Sequence, residues 1–157
     1  MAVLLLTLVT LAYAGYNILI RFSGGHAPAG ASTTILATLC LQAGAVIAST
    51  CFLAFLLLQG GHSFRLTTSA YLWALGAGLS IGLAEVGYFY LFGGVAGIRP
   101  LPASLVVPTV VAGTVVIALA VSWLVLREGL GAMQLLGAGL IIAGIVVMFL
   151  GRPAANL

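Results

Sequence analysis

The chain has 157 residues, 63% of them hydrophobic and 4% charged, with a formal charge of +3. Soluble chains carry about 25% charged residues, so an ordinary water-soluble domain is excluded and one membrane domain over 1–157 is predicted. All the basic residues are arginines (Arg21, Arg65, Arg99, Arg127, Arg152), each at or near the end of an apolar run. Cations there reach head groups or set topology, and they give no sign of a nucleic-acid partner.

The first apolar run, 2–20, ends before Arg21. A crossing helix needs roughly 20 mostly apolar residues, and this run supplies them. Ala12-Tyr13-Ala14 resembles a cleavage site, but the segment lacks a basic start and stays apolar past Ala14. A retained helix is therefore expected rather than a signal peptide. Tyr13, Asn17 and Ile20 fall on one helical face, which makes Tyr13 and Asn17 candidate hydrogen-bonding groups for a substrate. Tyr13 also suits an interfacial anchor, and Asn17 an interhelical bond. Gly24, Gly25, Pro28 and Gly30 then predict a turn over 21–31.

The second run, 34–58, contains Cys40 and Cys51. Eleven positions separate them, about 16 Å along a helix, too far for a disulfide or a shared metal. They are expected as buried, small apolar side chains. The joint 59–69 holds Gly60, Gly61, Arg65 and His62, and this histidine, like His26 in the first joint, is expected in water.

The third run, 70–92, carries Glu85 near its middle. An ionisable group at bilayer depth is costly and marks a functional site by default. Burial disfavours the charged form of a carboxyl, so such a group can exchange a proton for a cation. Gly78, Gly82, Glu85, Phe89 and Phe92 recur at helical spacing. They predict a glycine-floored groove with aromatic walls, suited to an organic cation. Tyr88 is one turn from Glu85, within reach of a bond to its carboxyl. The plainer alternative is a protonated Glu85 bonded to another helix. Gly78 and Gly82, Gly44 and Ala48, and Gly139 and Ala143 are small-residue pairs at packing spacing.

Gly94, Gly97, Pro100 and Pro102 break the pattern before the fourth run, 103–126, which contains Pro108. That proline removes a backbone hydrogen bond and is a hinge candidate. Trp73 and Trp123 stand near run ends, as an aromatic belt requires. After the joint 127–131 the fifth run, 132–150, closes at Arg152-Pro153. Glu128 is expected to favour the dipole near the start of that helix. The predicted fold is all-α, a polytopic bundle of five transmembrane helices with sequential neighbours antiparallel. Five crossings put the termini on opposite sides. Arg65 and Arg127 then face one side and Arg21, Arg99 and Arg152 the other. So small a bias allows insertion both ways round as an antiparallel dimer, or a fixed topology with a weak bias.

Leu126-Arg127-Glu128-Gly129-Leu130, then Gln134-Leu135-Leu136-Gly137 and Ala143-Gly144, resemble the end of an EamA domain, the repeat of the drug/metabolite transporter superfamily. Tyr13-Ala14-Gly15-Tyr16-Asn17 up to Arg21 is similar to the family's opening helix. Tyr13 stands where the family has Trp, and Pro108 lies ahead of its fourth-helix proline. The resemblance covers nearly the whole chain and implies one five-helix repeat where most members hold two. It therefore implies pairing as a homodimer or with a paralogue, in a bacterial inner membrane.

Together these features lead to an expected secondary transporter that exports small metabolites or drug-like, cationic molecules in exchange for protons. Its substrate and proton site is expected at Glu85, Tyr13, Asn17, Tyr88 and Phe89, with no metal, cofactor or enzymatic chemistry. The alternatives are a non-transporting subunit of a larger membrane complex, or a flippase subunit for lipid-linked substrates.

Overall fold

The computed structural model describes residues 1–28, 30–61, 64–95, 97 and 99–151. His62, Arg152 and Pro153, which carried expectations above, lie outside the described residues. Among the described residues the architecture is all-helical, with five helices: α1 (Ala2–His26), α2 (Ala31–Gln59), α3 (Thr68–Gly93), α4 (Ala103–Leu124) and α5 (Ala132–Leu150). All five are long and apolar enough to cross a membrane. Even α5, at 19 residues, spans about 28 Å against a hydrocarbon core of about 30 Å. In lipid a helix satisfies every backbone group internally, so these apolar runs form helices whatever their glycine content. The chain is an integral membrane protein.

Helix ends follow local chemistry. α1 runs to His26, beyond the turn predicted from residue 21, so Arg21, Gly24 and Gly25 are helical. What stops it is Pro28. The residue before a proline is pushed out of the helical region, and Ala27 is extended at φ −72°, ψ 133°. α2 starts at Ala31, earlier than residue 34, with the Thr33 and Thr34 hydroxyls donating to the Gly30 carbonyl at 2.8 and 2.9 Å. Thr67 caps α3 by accepting from the Ala70 N–H. Gly94 ends α3 at φ 77°, a conformation glycine adopts without a Cβ penalty.

α4 passes through Pro108 without a break and ends at Leu124, two residues short of the predicted 126. The chain beyond it folds back, with the Glu128 N–H donating to the Ser122 carbonyl at 2.9 Å. Arg127 there takes φ 54°, a left-handed conformation uncommon outside glycine. Glu128 thus belongs to the exit from α4, and no acid stands in the first turn of α5. That helix is capped instead by Gln134, whose Oε1 accepts from the Gly131 N–H at 2.8 Å.

Two compact units result, Met1–Pro100 and Leu101–Leu157. In the second, α4 packs against α5. In the first, α3 packs on both α1 and α2. Its core is confined to one end. The buried residues are Asn17, Ile20 and Gly24 late in α1, Thr34 and Thr38 early in α2, and Glu85, Tyr88, Phe89 and Phe92 late in α3. The opposite halves of all three helices expose large apolar side chains, among them Leu4, Leu8, Phe52, Leu58, Trp73 and Leu79. Cys40 and Cys51 are free, as expected, but exposed rather than buried. Their small side chains lie on faces of α2 that α1 and α3 do not cover.

Close backbone approach occurs elsewhere than the small-residue pairs predict. Gly44, Gly78 and Gly139 have open space where a Cβ would stand. At Gly24 a Cβ would lie 2.9 Å from the Phe92 Cβ and 3.4 Å from the Gly93 nitrogen. Gly24 is therefore the seat of α3 on α1, which is why a glycine is helical there. Gly24→Val should lower stability in detergent by about 1–3 kcal/mol through overpacking. Gly78→Val should stay within about 0.5 kcal/mol, as substitutions away from packed features do. Thermal unfolding followed by circular dichroism checks both, and equal losses would contradict the packing described.

Candidate functional site

Helical spacing puts Glu85, Tyr88, Phe89 and Phe92 on the face of α3 that turns inward, and all four are buried. Across from them α1 contributes Tyr16, Arg21 and Gly24. The Tyr16 hydroxyl donates to Glu85 Oε2. The Tyr16 and Tyr88 rings lie 6.5 Å apart, and Tyr88 meets Phe92 edge-on at 5.4 Å. Arg21 stands over the Phe92 ring at 5.9 Å and donates from Nη1 to the Phe92 carbonyl at 3.5 Å. It caps the end of α3 rather than pairing with Glu85.

These pairs fix the register. Tyr16 meets Glu85, Arg21 meets Phe92, and Gly24 meets Phe92 and Gly93. Residue numbers rise together, so α1 and α3 run parallel. Gly24 to Asn17 is seven residues, as is Phe92 to Glu85 (24 − 17 = 92 − 85). Seven residues return to nearly the same helical face, within about 20°. Asn17 therefore stands level with Glu85 on the side of α1 that faces α3.

Asn17 is buried, 9% exposed. Its Nδ2 donates to the Tyr13 carbonyl at 2.8 Å. Its Oδ1 is the one buried side-chain polar atom among the described residues without a hydrogen-bond partner. On α2, Thr34 and Thr38 are also buried, but their hydroxyls donate to the Gly30 and Thr34 carbonyls of their own helix. The Gln42 amide lies against Gly82, a turn from Glu85. Within the first unit the carboxyl and two tyrosine rings thus share a level of the helix pair with the Asn17 amide, and Arg21 is engaged at Phe92.

Of the residues singled out in the sequence, Glu85, Asn17, Tyr88 and Phe89 come together. Tyr13 does so only in part. Its side chain is 61% exposed, and it reaches the cluster through its carbonyl and an edge-on contact with the Tyr16 ring at 6.4 Å. The Glu85 hydrogen bond comes from Tyr16, not from Tyr88, because the neighbouring helix offers a hydroxyl at the right level. The expected groove is only partly formed. Gly78 is open, Gly82 faces Gln42, and Glu85 is 5% exposed against α1. Pro108 belongs to the second unit. Tyr16 offers a hydrogen-bonding group in the first run, but sequence reasoning did not assign it to the site. The signal for it was available, since an acid in lipid needs a donor on a facing helix and Tyr16 lies on the first one.

Among the described residues no group of three or more His, Cys, Asp or Glu could hold a metal ion. The chain matches no protein-family model, no curated protein and no solved structure.

Removing one partner of the Tyr16–Glu85 bond should register as an interhelical coupling. A double-mutant cycle of Tyr16→Phe and Glu85→Leu, read by unfolding in detergent, should give a coupling between about 0.6 kcal/mol, the average for such bonds in membranes, and their maximum of about 1.7 kcal/mol. Tyr88→Phe with Glu85→Leu should give a coupling near zero. Reversal of the two results would reassign the carboxyl's partner.

Proposed function

We propose that this chain is one protomer of a small secondary transporter, related to the EamA-type exporters it resembles. It pairs with a second copy or a paralogue in a bacterial inner membrane. The observation that carries the reading is Glu85, an acid within the membrane-spanning part of α3, held by a hydroxyl from α1 among further polar groups. A carboxyl in that setting binds a proton or a cationic substrate in turn. A cation competes with the Tyr16 hydrogen bond and a proton weakens it by removing the carboxylate's charge, so loading the site loosens α1 from α3. Linking occupancy to the separation of two helices is what alternating access needs. Phe89 and Tyr88 supply apolar and aromatic surface for metabolites or drug-like molecules.

A second reading has its own support. Glu85 is 5% exposed and already bonded across helices, which also suits a clamp in a non-transporting subunit. Transport separates the two. In proteoliposomes carrying a proton gradient, Glu85→Gln should abolish gradient-driven movement of substrate while the protein stays folded in the membrane. Movement equal to wild type would remove Glu85 from the mechanism. A chain that purifies only with unrelated subunits would favour the clamp. Paired C-terminal reporters, one active in the cytoplasm and one outside, should both give signal if the protomers insert in opposite directions. Signal from one reporter alone would indicate a fixed topology.

A further inference from the structure

The Asn17 side chain has a need that the protein does not meet. Its amide nitrogen is fixed by the Tyr13 carbonyl at 2.8 Å, which leaves Oδ1 pointing away, buried and without a donor. A flip of the amide would set oxygen against the Tyr13 carbonyl oxygen, so the orientation is determined by chemistry. Three hydroxyls of the same core are committed elsewhere. Tyr16 donates to Glu85, and Thr34 and Thr38 donate within α2. Buried acceptors without partners are rare in native proteins, and an occupant bearing hydrogen-bond donors satisfies this one. The same level of the α1–α3 contact holds Glu85, whose negative form calls for a cation, with the aromatic rings of Tyr16 and Tyr88 beside it.

We infer that Asn17 Oδ1 and the Glu85 carboxyl together form a cradle for an N–H-bearing ammonium group, that of a primary or secondary amine. An alkylammonium has several donors on one charged atom. One reaches Glu85, another reaches Asn17 Oδ1, and the tyrosine rings flank the charge. A quaternary ammonium satisfies the carboxylate and the rings but has no hydrogen for the amide oxygen. Asn17 is thus the residue that distinguishes amines from their fully methylated analogues. A site built to bond a substrate N–H discriminates strongly against a ligand lacking it, because its own polar group is then left unpaired. The ammonium site takes its purpose from the transporter reading above, but its chemistry is independent of transport.

The test uses the full chain in lipid nanodiscs with two probes, propylammonium and propyltrimethylammonium, and binding followed by ligand-observed NMR titration. Propylammonium should bind at least about tenfold more tightly than its trimethylated analogue. Asn17→Leu should erase that preference by weakening propylammonium alone, whereas Glu85→Gln should weaken both probes. Asn17→Asp, which keeps an acceptor oxygen in place, should retain propylammonium binding and guards against misfolding of the leucine variant. Equal affinity for the two probes, no binding of either, an Asn17→Leu variant that still prefers propylammonium, or displacement by equimolar sodium would each overturn the assignment. Amine binding without gradient-driven movement would remove the transporter reading and leave the cradle. Movement unaffected by Asn17→Leu would remove the cradle and leave the transporter.

Discussion

A single hydrogen bond between two helices, from the Tyr16 hydroxyl to Glu85, sets the level at which α1 and α3 meet. In lipid no hydrophobic force selects one sliding position over another, because acyl chains are as apolar as the side chains they replace. Specific contacts must do so. Once Tyr16 is opposite Glu85, Gly24 falls against Phe92 and Arg21 reaches the end of α3. A slip by one residue would remove the carboxyl's donor and drive a side chain into the Gly24 seat. One bond of this kind contributes about a kcal/mol, so glycine packing and the arginine contact are needed to hold the register with it.

The interior of the first unit is correspondingly polar for a membrane protein. Asn17, Thr34, Thr38 and Glu85 are buried, while leucines, phenylalanines and a tryptophan face outward. In water that distribution would be ruinous, and in a bilayer it is the economical one. Apolar side chains lose nothing by facing lipid, whereas a polar group facing it loses its bonds. The two threonines illustrate the low-risk solution, each returning its hydroxyl to a carbonyl of its own helix. Asn17 does so with only one of its two polar atoms, and that incompleteness sets it apart from the rest of the core.

Hydropathy made the five helices and their order legible, because helix formation in lipid is decided by the backbone and the length of the apolar run. Their ends were less legible. Gly24 and Gly25 read as a turn, yet they are helical because a neighbouring helix needs the space a side chain would take. Pro28, acting through Ala27, was the true stop. Glu85 stood out at once because a lone acid in an apolar run is conspicuous by chemistry alone. Its partner did not, since choosing between Tyr16 on α1 and Tyr88 on α3 requires the register between helices, which is not a local property. The small-residue pairs misled for a related reason. Spacing shows which residues share a face, not whether a helix of the same chain covers it.

The confinement of packing to one end has a mechanical corollary. Gly24 and Phe92 act as a fulcrum, and about 33 Å of α1 extends from there to Ala2 at 1.5 Å per residue. A tilt of roughly 10° at the fulcrum would sweep the far tip through about 6 Å, close to the pitch of a helical turn. Tyr16, eight residues and so about 12 Å from the fulcrum, would move by about 2 Å in the same tilt, so the helix works like a pair of tongs that multiplies a shift beside the acid nearly threefold at its far tip.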